Sequence, residues 1–201
     1  MIILLIIVIL ASAVGVAWHF IYKYFYYPRK YKDVHYKAVR KVVHEYDYRL
    51  INRFTFPIEE NKCAVLDHII FGEKFFYVIL NHYYDGELMG NLNDKSFIYL
   101  NTKGKKYYVN NPYKLLAYSL SRLSTSCGID KKYLIGIVLI NDSCTYKVEA
   151  NYESYFVCKR KHLGKLIKSI ESRKDIGKIK EEMLQQVIYD MNRINRRKDA
   201  K

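Results

Sequence analysis

The sequence predicts an α/β protein in which a helix, strands, a second helix, further strands and closing helices follow one another along one globular domain. Continuous apolar runs such as KFFYVILN and YLIGIVLIN are typical of strands buried on both faces. Apolar residues three and four apart, as in VHYKAVRKVVHEY, are typical of helices that pack on a sheet. A chain of 201 residues can form one such core and still carry an appendage.

The amino-terminal segment is apolar enough to be an appendage of this kind. Residues 1–22, MIILLIIVILASAVGVAWHFIY, contain no Lys, Arg, Asp or Glu. As a helix they would extend about 33 Å, which is enough to cross a hydrocarbon core. Tyrosine, lysine and arginine follow in segment 23–33, as they do at the cytoplasmic flank of a membrane helix. We therefore expect a single-pass anchor at 1–22, a basic juxtamembrane segment at 23–33 and a cytoplasmic remainder at a bacterial cell membrane.

A cleaved signal peptide is the alternative interpretation, because Ala11, Ser12 and Ala13 resemble a small-residue cleavage site. No Lys or Arg precedes the apolar run, however, and the run continues past this site. The four cysteines form no C-x-x-C pair, which favours free thiols in a reducing compartment. These features favour a retained anchor.

Residues 34–172 are expected to form the folded domain. It begins with the helix at 34–46, followed by the strand runs YDYRLINRFTF, KCAVLDHIIF and KFFYVILN. Two shorter strands, SFIYLN and KKYYVN, flank a turn. Asn111 and Pro112 then predict a helix start, with Asn near the cap and Pro in the first turn. YLIGIVLIN and YESYFVCK are the next strands, and HLGKLIKSIES is a short helix.

Residues 173–201 predict a long amphipathic helix that ends in a basic tail. Apolar side chains fall along one stripe of this helix at Ile179, Met183, Val187, Met191 and Ile194. A solvated basic face beside a core stripe is the simplest interpretation of this pattern, and a phosphate-binding strip is the alternative.

The chain is strongly basic, with 34 Lys and Arg against 20 Asp and Glu and a formal net charge of +14. Such a field concentrates polyanions, so DNA, RNA and anionic lipid are all candidate partners. The same composition also arises in chains from A+T-rich genomes, which drift toward Lys, Ile, Asn and Tyr. Composition therefore leaves open whether the charge is functional.

Residues 65–90, VLDHIIFGEKFFYVILNHYYDGELMG, hold the pattern most informative about function. Asp67 ends an apolar run, Gly72 interrupts the chain, and Gly86 and Gly90 bracket a turn after the next apolar run. Together with the later Asn-Pro, this pattern resembles the nuclease-related domain family, called NERD, of the restriction-endonuclease-like superfamily. The resemblance implies a mixed central sheet flanked by helices. Its motif scaffold would be Gly86, Gly90, Asn111 and Pro112.

The resemblance also implies an active site built from an Asp and a later Glu-x-Lys, and here the chain departs from the family. Asp67 matches the family's aspartate, but the Glu and Lys positions fall on Leu80 and His82. Such enzymes share a hard cation such as Mg²⁺ between two carboxylates, and leucine offers no oxygen ligand. We therefore expect no bound metal. Asp85 or Glu87 could supply a displaced carboxylate only if the strand after residue 80 bulges.

Three functions remain open from the sequence. The first is a catalytically inactive, membrane-anchored domain that binds nucleic acid or another polyanion. The second is a Mg²⁺-dependent nuclease with a displaced acid. The third is a structural or interaction protein whose basic surface faces anionic lipid and whose final helix docks a protein partner.

Overall fold

The computed structural model describes residues 2–22, 26–59, 62–149 and 153–196. The helices along these residues are α1 (Ile2–Ile21), α2 (Tyr27–Glu45), α3 (Pro112–Cys127), α4 (Leu163–Glu171) and α5 (Glu181–Arg196). The first strands are β1 (Arg49–Glu59), β2 (Lys62–Phe71), β3 (Phe76–His82), β4 (Glu87–Asn91) and β5 (Ser96–Leu100). The remaining strands are β6 (Lys106–Asn110), β7 (Leu134–Ile140), β8 (Thr145–Glu149) and β9 (Tyr155–Lys159).

These strands form two mixed sheets. The first has five strands in the order β1-β2-β3-β7-β9, and its last two pairings, β3 with β7 and β7 with β9, are parallel. The second has four strands in the order β6-β5-β4-β8, in which β4 and β8 are parallel. The prediction of an α/β fold with mixed sheet structure flanked by helices is therefore confirmed, and the strands are divided between two sheets. The chain leaves the first sheet after β3 and enters the second at β4.

Helices cover both faces of the five-stranded sheet. On one face, Leu116 and Leu120 of α3 pack over β3 and β7, and Met191 of α5 joins the same apolar cluster beside β1. On the other, Val39 of α2 and Ile167 of α4 form a second apolar cluster with residues of the same strands. Strands β3 and β7 are buried along nearly their whole length, as their continuous apolar runs predicted. In this three-layer packing, α2 contacts both β2 and β3.

Several predicted elements are confirmed in position. Strand β2 spans the run KCAVLDHIIF, and α3 begins at Pro112 after Asn111. Helix α2 begins at Tyr27 rather than Val34, because Pro28 suits a helix's first turn, and it is kinked at Lys30. Strand β1 continues through Pro57, which is tolerated because β1 is an edge strand and its register with β2 shifts there.

Two strands and one helix length were predicted wrongly. Gly86 and Gly90 were assigned to a turn, yet Gly90 lies within β4. Strand β8 was missed altogether, and it pairs with β4. Helix α5 begins only at Glu181, although its predicted stripe does pack on the core, with Val187 and Met191 buried. The basic tail at 197–201 lies outside the described residues.

Helix α1 spans 20 residues, close to the predicted segment 1–22. Its described side chains are exposed, and they include Ile9, Leu10, Val14 and Trp18. Among the residues the structure describes, however, no helix reaches the combined length and apolarity of a membrane span. The predicted anchor is therefore a helix whose place in a membrane stays a prediction.

All four cysteines are free thiols, as predicted. Cys63 is exposed, and the other three are buried.

Candidate functional site

The site lies where β1 and β2 lose their regular alternation. On β2, Leu66 and Ile69 both face the same apolar cluster although they are three residues apart, so the strand must twist between them. On β1, Arg53 has a φ of 54°, an uncommon conformation for a residue other than glycine. Strained backbone of this kind clusters at functional sites. The distortion re-aims the two residues between Leu66 and Ile69, which are Asp67 and His68.

Both carboxylate oxygens of Asp67 already have partners. The last paired residues of β2 and β3 at this end are His68 and Ile79, and beyond them the backbone N–H of Asn81 donates to Asp67 Oδ2 at 2.8 Å. The ammonium of Lys32 donates to Oδ1 at 3.2 Å. The Asp67 side chain is only 14% exposed. The motif carboxylate thus completes the strand pairing and forms a partly shielded ion pair.

Leu80 and His82, the residues predicted to stand at the family's Glu and Lys positions, have different surroundings. Leu80 is buried in the cluster beneath α3 and α5 together with Leu66 and Leu88, so it offers only apolar contacts. His82 lies in the field of Asp67, and its ring stacks on Tyr84 with centroids 5.8 Å apart. Burial lowers the pKa of His82 below its ordinary value. His82 is therefore a neutral imidazole at physiological pH and does not replace a lysine's charge.

Lys32 supplies the charge that position 82 lacks. It comes from α2, 35 residues before Asp67, and it lies in the segment that the sequence assigned to the basic juxtamembrane region. Neither a motif nor spacing pointed to it, because the contact exists only once α2 packs against the middle of β2. The lysine–aspartate pairing of the site is thus assembled from a different element than the family motif implies.

Asp85 and Glu87, the candidate displaced acids, have contacts at the second sheet. Glu87 forms an ion pair with Lys147 at 2.9 Å. The backbone N–H of Asp85 donates to the Tyr99 hydroxyl at 3.3 Å, and its Oδ1 is buried without a hydrogen-bond partner. In the part of the chain that the structure describes, no group of three or more His, Cys, Asp and Glu side chains could hold a metal ion.

A chain of polar side chains lies beside Asp67, in which His68 and Asn81 are buried and Asn52 is exposed. His68 contacts Asn52 Oδ1 through Nδ1 at 2.7 Å, and the Asn81 amide nitrogen lies 2.9 Å from His68 Nε2. Since Asn52 Oδ1 can only accept, Nδ1 carries the proton and Nε2 accepts from Asn81. Tyr36 of α2 stacks on the imidazole. Burial lowers the pKa of His68 to about 4, opposed by the nearby Asp67 carboxylate, so His68 is neutral.

His35 extends this chain into α2. It is fully buried, and its Nε2 lies 3.2 Å from the Tyr27 hydroxyl. Its Nδ1 and the side-chain oxygen of Asn81 are both buried without a partner within hydrogen-bonding distance. Burial and then the charge of Arg160 lower the pKa of His35 to about 4, while Asn81 acts in the opposite direction. Sequence analysis missed this role of His35 and His68, since isolated histidines carry no signal of burial.

The packing of the second sheet and of α3 explains the residue types at the motif scaffold positions. A Cβ at Gly86 would overlap the backbone of Leu100 and Asn101, and one at Gly90 would overlap the Phe97 ring. Asn111 caps α3 by accepting the Tyr113 N–H at 2.9 Å. Its amide nitrogen also donates to the carbonyls of residues 92 and 94, at 2.9 and 2.8 Å. The glycines thus allow the second sheet to close up, and Asn111 with Pro112 joins that sheet to α3.

Comparison with protein families finds a match to NERD, the nuclease-related domain, over residues 32–141. Neither the curated proteins nor the solved structures give a significant match. The matched segment contains the kinked strands, Asp67 and the scaffold glycines and asparagine, and it ends as β7 closes. Strand β9 and helix α4 lie beyond it and complete the same sheet and core, within the predicted domain at 34–172. Because the match covers more than half of the 201 residues, the chain belongs to the nuclease-related domain family.

Proposed function

We propose that this chain is a membrane-anchored NERD domain that binds nucleic acid or another polyanion without cutting it. The observation that carries the proposal is the state of Asp67. Its two oxygens accept from the Lys32 ammonium and the Asn81 backbone N–H, and a buried leucine, Leu80, occupies the position where a second acid is expected. The family membership supports a function related to nucleic acid.

The chemistry of phosphodiester cleavage explains why this arrangement favours inactivity. Mg²⁺ requires near-octahedral oxygen ligands, and it usually bridges carboxylates and the substrate phosphate. A cation at Asp67 would have to displace the Lys32 ammonium and would find no oxygen at position 80. It would therefore bind weakly, and the polarisation of the scissile phosphate would be lost with it.

The membrane placement rests on the character of α1. Its described side chains are exposed and are mostly apolar, apart from Ser12 and His19, whereas a mostly apolar helix normally buries its side chains in a protein core or a bilayer. Basic residues follow it in the juxtamembrane segment, which favours a cytoplasmic location for the folded domain. The net charge of +14 then favours binding of polyanions at the membrane surface.

Two measurements on the full chain in neutral detergent micelles test this proposal. Binding to duplex DNA and to RNA should weaken steeply as salt rises from 50 to 200 mM, because bound phosphates release counterions (roughly tenfold or more for several contacts). Plasmid incubated with Mg²⁺ or Mn²⁺ should remain intact. Absence of any salt-sensitive binding to either nucleic acid would remove the polyanion function.

The cleavage assay needs variants that separate inactivity from contamination. The Asp67→Ala variant should match the wild-type chain, since both are expected to be inactive. Cleavage by the wild-type chain that disappears in Asp67→Ala would show that the domain is a nuclease. Cleavage of equal rate in both would be a contaminant, and the assay would then be repeated after further purification until the two can be compared.

The second candidate is a Mg²⁺-dependent nuclease with a displaced carboxylate. The observation that favours it is Asp85, whose Oδ1 is buried without a partner. This function requires that both Asp85→Asn and Asp67→Ala abolish metal-dependent cleavage. If Asp85→Asn cleaves as fast as the wild-type chain, Asp85 is not part of the site.

A further inference from the structure

A wide cleft separates the end of α1 from helices α2 and α4. Its volume is about 1210 Å³. Its floor includes Val34, Ala38 and Val42, which lie four residues apart on one face of α2. Gly164 of α4 faces Val42, because a Cβ added at Gly164 would lie 3.5 Å from a Val42 methyl group. The cleft is thus formed by elements of the folded domain on one side and by the apolar helix on the other.

The walls of this cleft carry a strong excess of positive charge. Six basic residues line it, against the two acids Asp33 and Glu45. These basic residues are Lys37, Lys41, Arg160, Lys161, Lys165 and Lys168. Lys37 and Lys41 are one turn apart on α2, and Lys165 and Lys168 are one turn apart on α4, so the two helices present lysine rows to one shared space. The five lysines are exposed, so a ligand can reach them.

The remaining wall is aromatic and apolar. Trp18, Ile21, Tyr22 and Tyr26 line it from the end of α1 and the residues that follow. Aromatic rings of this kind are enriched at the level of lipid headgroups, where an apolar ring and a polar tip are both satisfied. A ligand that fills the cleft must therefore offer an anionic group to the lysines and an apolar part to Trp18 and its neighbours.

We propose that this cleft binds the phosphate-bearing headgroup of an anionic phospholipid from the membrane in which α1 lies. The inference rests on the proposed membrane placement and goes beyond it by naming a site and a ligand class. An anionic phospholipid combines the two required features in one molecule. It also arrives from the side of the cleft that α1 forms. A nucleic acid would supply phosphates, but it has no apolar chain for the wall formed by α1.

The single tryptophan of the chain gives a direct readout, because Trp18 lines the cleft. The full chain in neutral detergent micelles is titrated with short-chain phosphatidylglycerol, with short-chain phosphatidylcholine, with inorganic phosphate and with a short DNA duplex. We expect a saturable change in Trp18 fluorescence with phosphatidylglycerol, with an apparent affinity at least tenfold above that for phosphatidylcholine. Inorganic phosphate and the duplex should neither reproduce the change nor compete with phosphatidylglycerol at matched phosphate concentration.

Matched variants test whether the cleft lysines are responsible. Each lysine near an anionic headgroup contributes about fivefold in affinity, so Lys37→Gln, Lys41→Gln and Lys165→Gln together should weaken phosphatidylglycerol binding on the order of 100-fold. The control replaces Lys103, Lys105 and Lys106, exposed residues around the start of β6, by Gln. It removes the same charge and should leave the binding within about twofold.

Each contrary result has a defined meaning. Equal responses to the two lipids would overturn the inference, because binding would then depend only on apolar surface. An equal loss of phosphatidylglycerol binding in the control variant would overturn it as well, because binding would then depend only on overall charge. Competition by inorganic phosphate or by the duplex would overturn it in favour of a soluble anion site or a nucleic-acid surface. Flotation of the wild-type chain with neutral phosphatidylcholine vesicles tests the membrane placement separately. If the chain floats but shows no headgroup preference, only the lipid-binding inference is refuted. If the chain does not float, the proposed membrane placement of α1 is refuted.

Discussion

Lowering the pH from 7.5 to 4 should destabilise the folded protein through His35 and His68. Burial lowers the pKa of each to about 4, whereas an unfolded histidine titrates near 6.5. Between these values the unfolded chain binds more protons than the folded chain, so the free energy of unfolding falls as the pH falls. The contribution is fully present above pH 6.5 and is lost as the pH approaches 4.

The magnitude follows from the difference between the two pKa values. For each histidine it is about 2.5 pH units, and one unit corresponds to about 1.4 kcal/mol, so each can contribute up to roughly 3 kcal/mol. Domains of this size are stable by only about 5–15 kcal/mol. Neighbouring charges modify the value. Asp67 raises the pKa of His68 while Lys32 lowers it, and Arg160 lowers the pKa of His35 while Asp142 raises it.

The assay is urea unfolding of the full chain in neutral detergent micelles, followed by near-ultraviolet circular dichroism at several pH values between 7.5 and 4.5. His68→Gln should have a lower unfolding free energy than the wild-type chain at pH 7.5. Because glutamine does not titrate, the variant should lose about 2–3 kcal/mol less unfolding free energy than the wild-type chain when the pH falls to 4.5. His44→Gln removes an exposed histidine from α2 and is the matched control. Parallel curves for His68→Gln and the wild-type chain would refute the reasoning, because His68 would then not be a buried neutral base.

Three further predictions concern the motif residues. Asp67→Ala should lower the unfolding free energy by about 1–3 kcal/mol, because it leaves the Asn81 backbone N–H without an acceptor. Asp67→Asn keeps an acceptor oxygen and should retain most of the wild-type unfolding free energy. Equal losses in the two variants would contradict the role of this hydrogen bond. Gly86→Ala should lower the unfolding free energy by about 1–3 kcal/mol in the same urea assay, because its Cβ would overlap the backbone of Leu100 and Asn101. Gly177→Ala has open space around it and should lower the unfolding free energy little. Similar losses in the two variants would refute the close approach of Gly86 to that backbone. Asn111→Ala removes the α3 cap and two hydrogen bonds to carbonyls, and it should lower the unfolding free energy by about 2–4 kcal/mol. Asn111→Asp keeps the cap and should lower the unfolding free energy by less. A loss below about 0.5 kcal/mol for Asn111→Ala would show that the cap is dispensable.

Some elements were predictable because their signals are local. The run KCAVLDHIIF gave the bounds of β2, and Asn111 with Pro112 gave the start of α3. The apolar spacing around Val187 identified the buried stripe of α5. Each of these depends on side chains within one element, whose burial and capping can be deduced from spacing alone.

Other features could not be predicted because they depend on partners elsewhere in the chain. Strands β4 and β8 are five residues each, and their described residues are mostly partly exposed or exposed, so neither has a continuous apolar run. They become strands by pairing with each other, although more than fifty residues separate them. Both strands thereby belong to a second sheet, separate from that of β3 and β7, which no property of either segment alone indicates.

The sequence by itself determined that this chain is a basic α/β protein of the nuclease-related domain family. Only the tertiary structure decided what Asp67 touches. Lys32 reaches it from α2, and the backbone of Asn81 reaches it from β3, because α2 packs against the middle of β2 and the regular pairing of β2 with β3 ends at His68 and Ile79. Sequence patterns record which residues are present and how they are spaced. Contacts between distant elements depend on the angles and depths at which those elements pack, and these are set by the whole core at once.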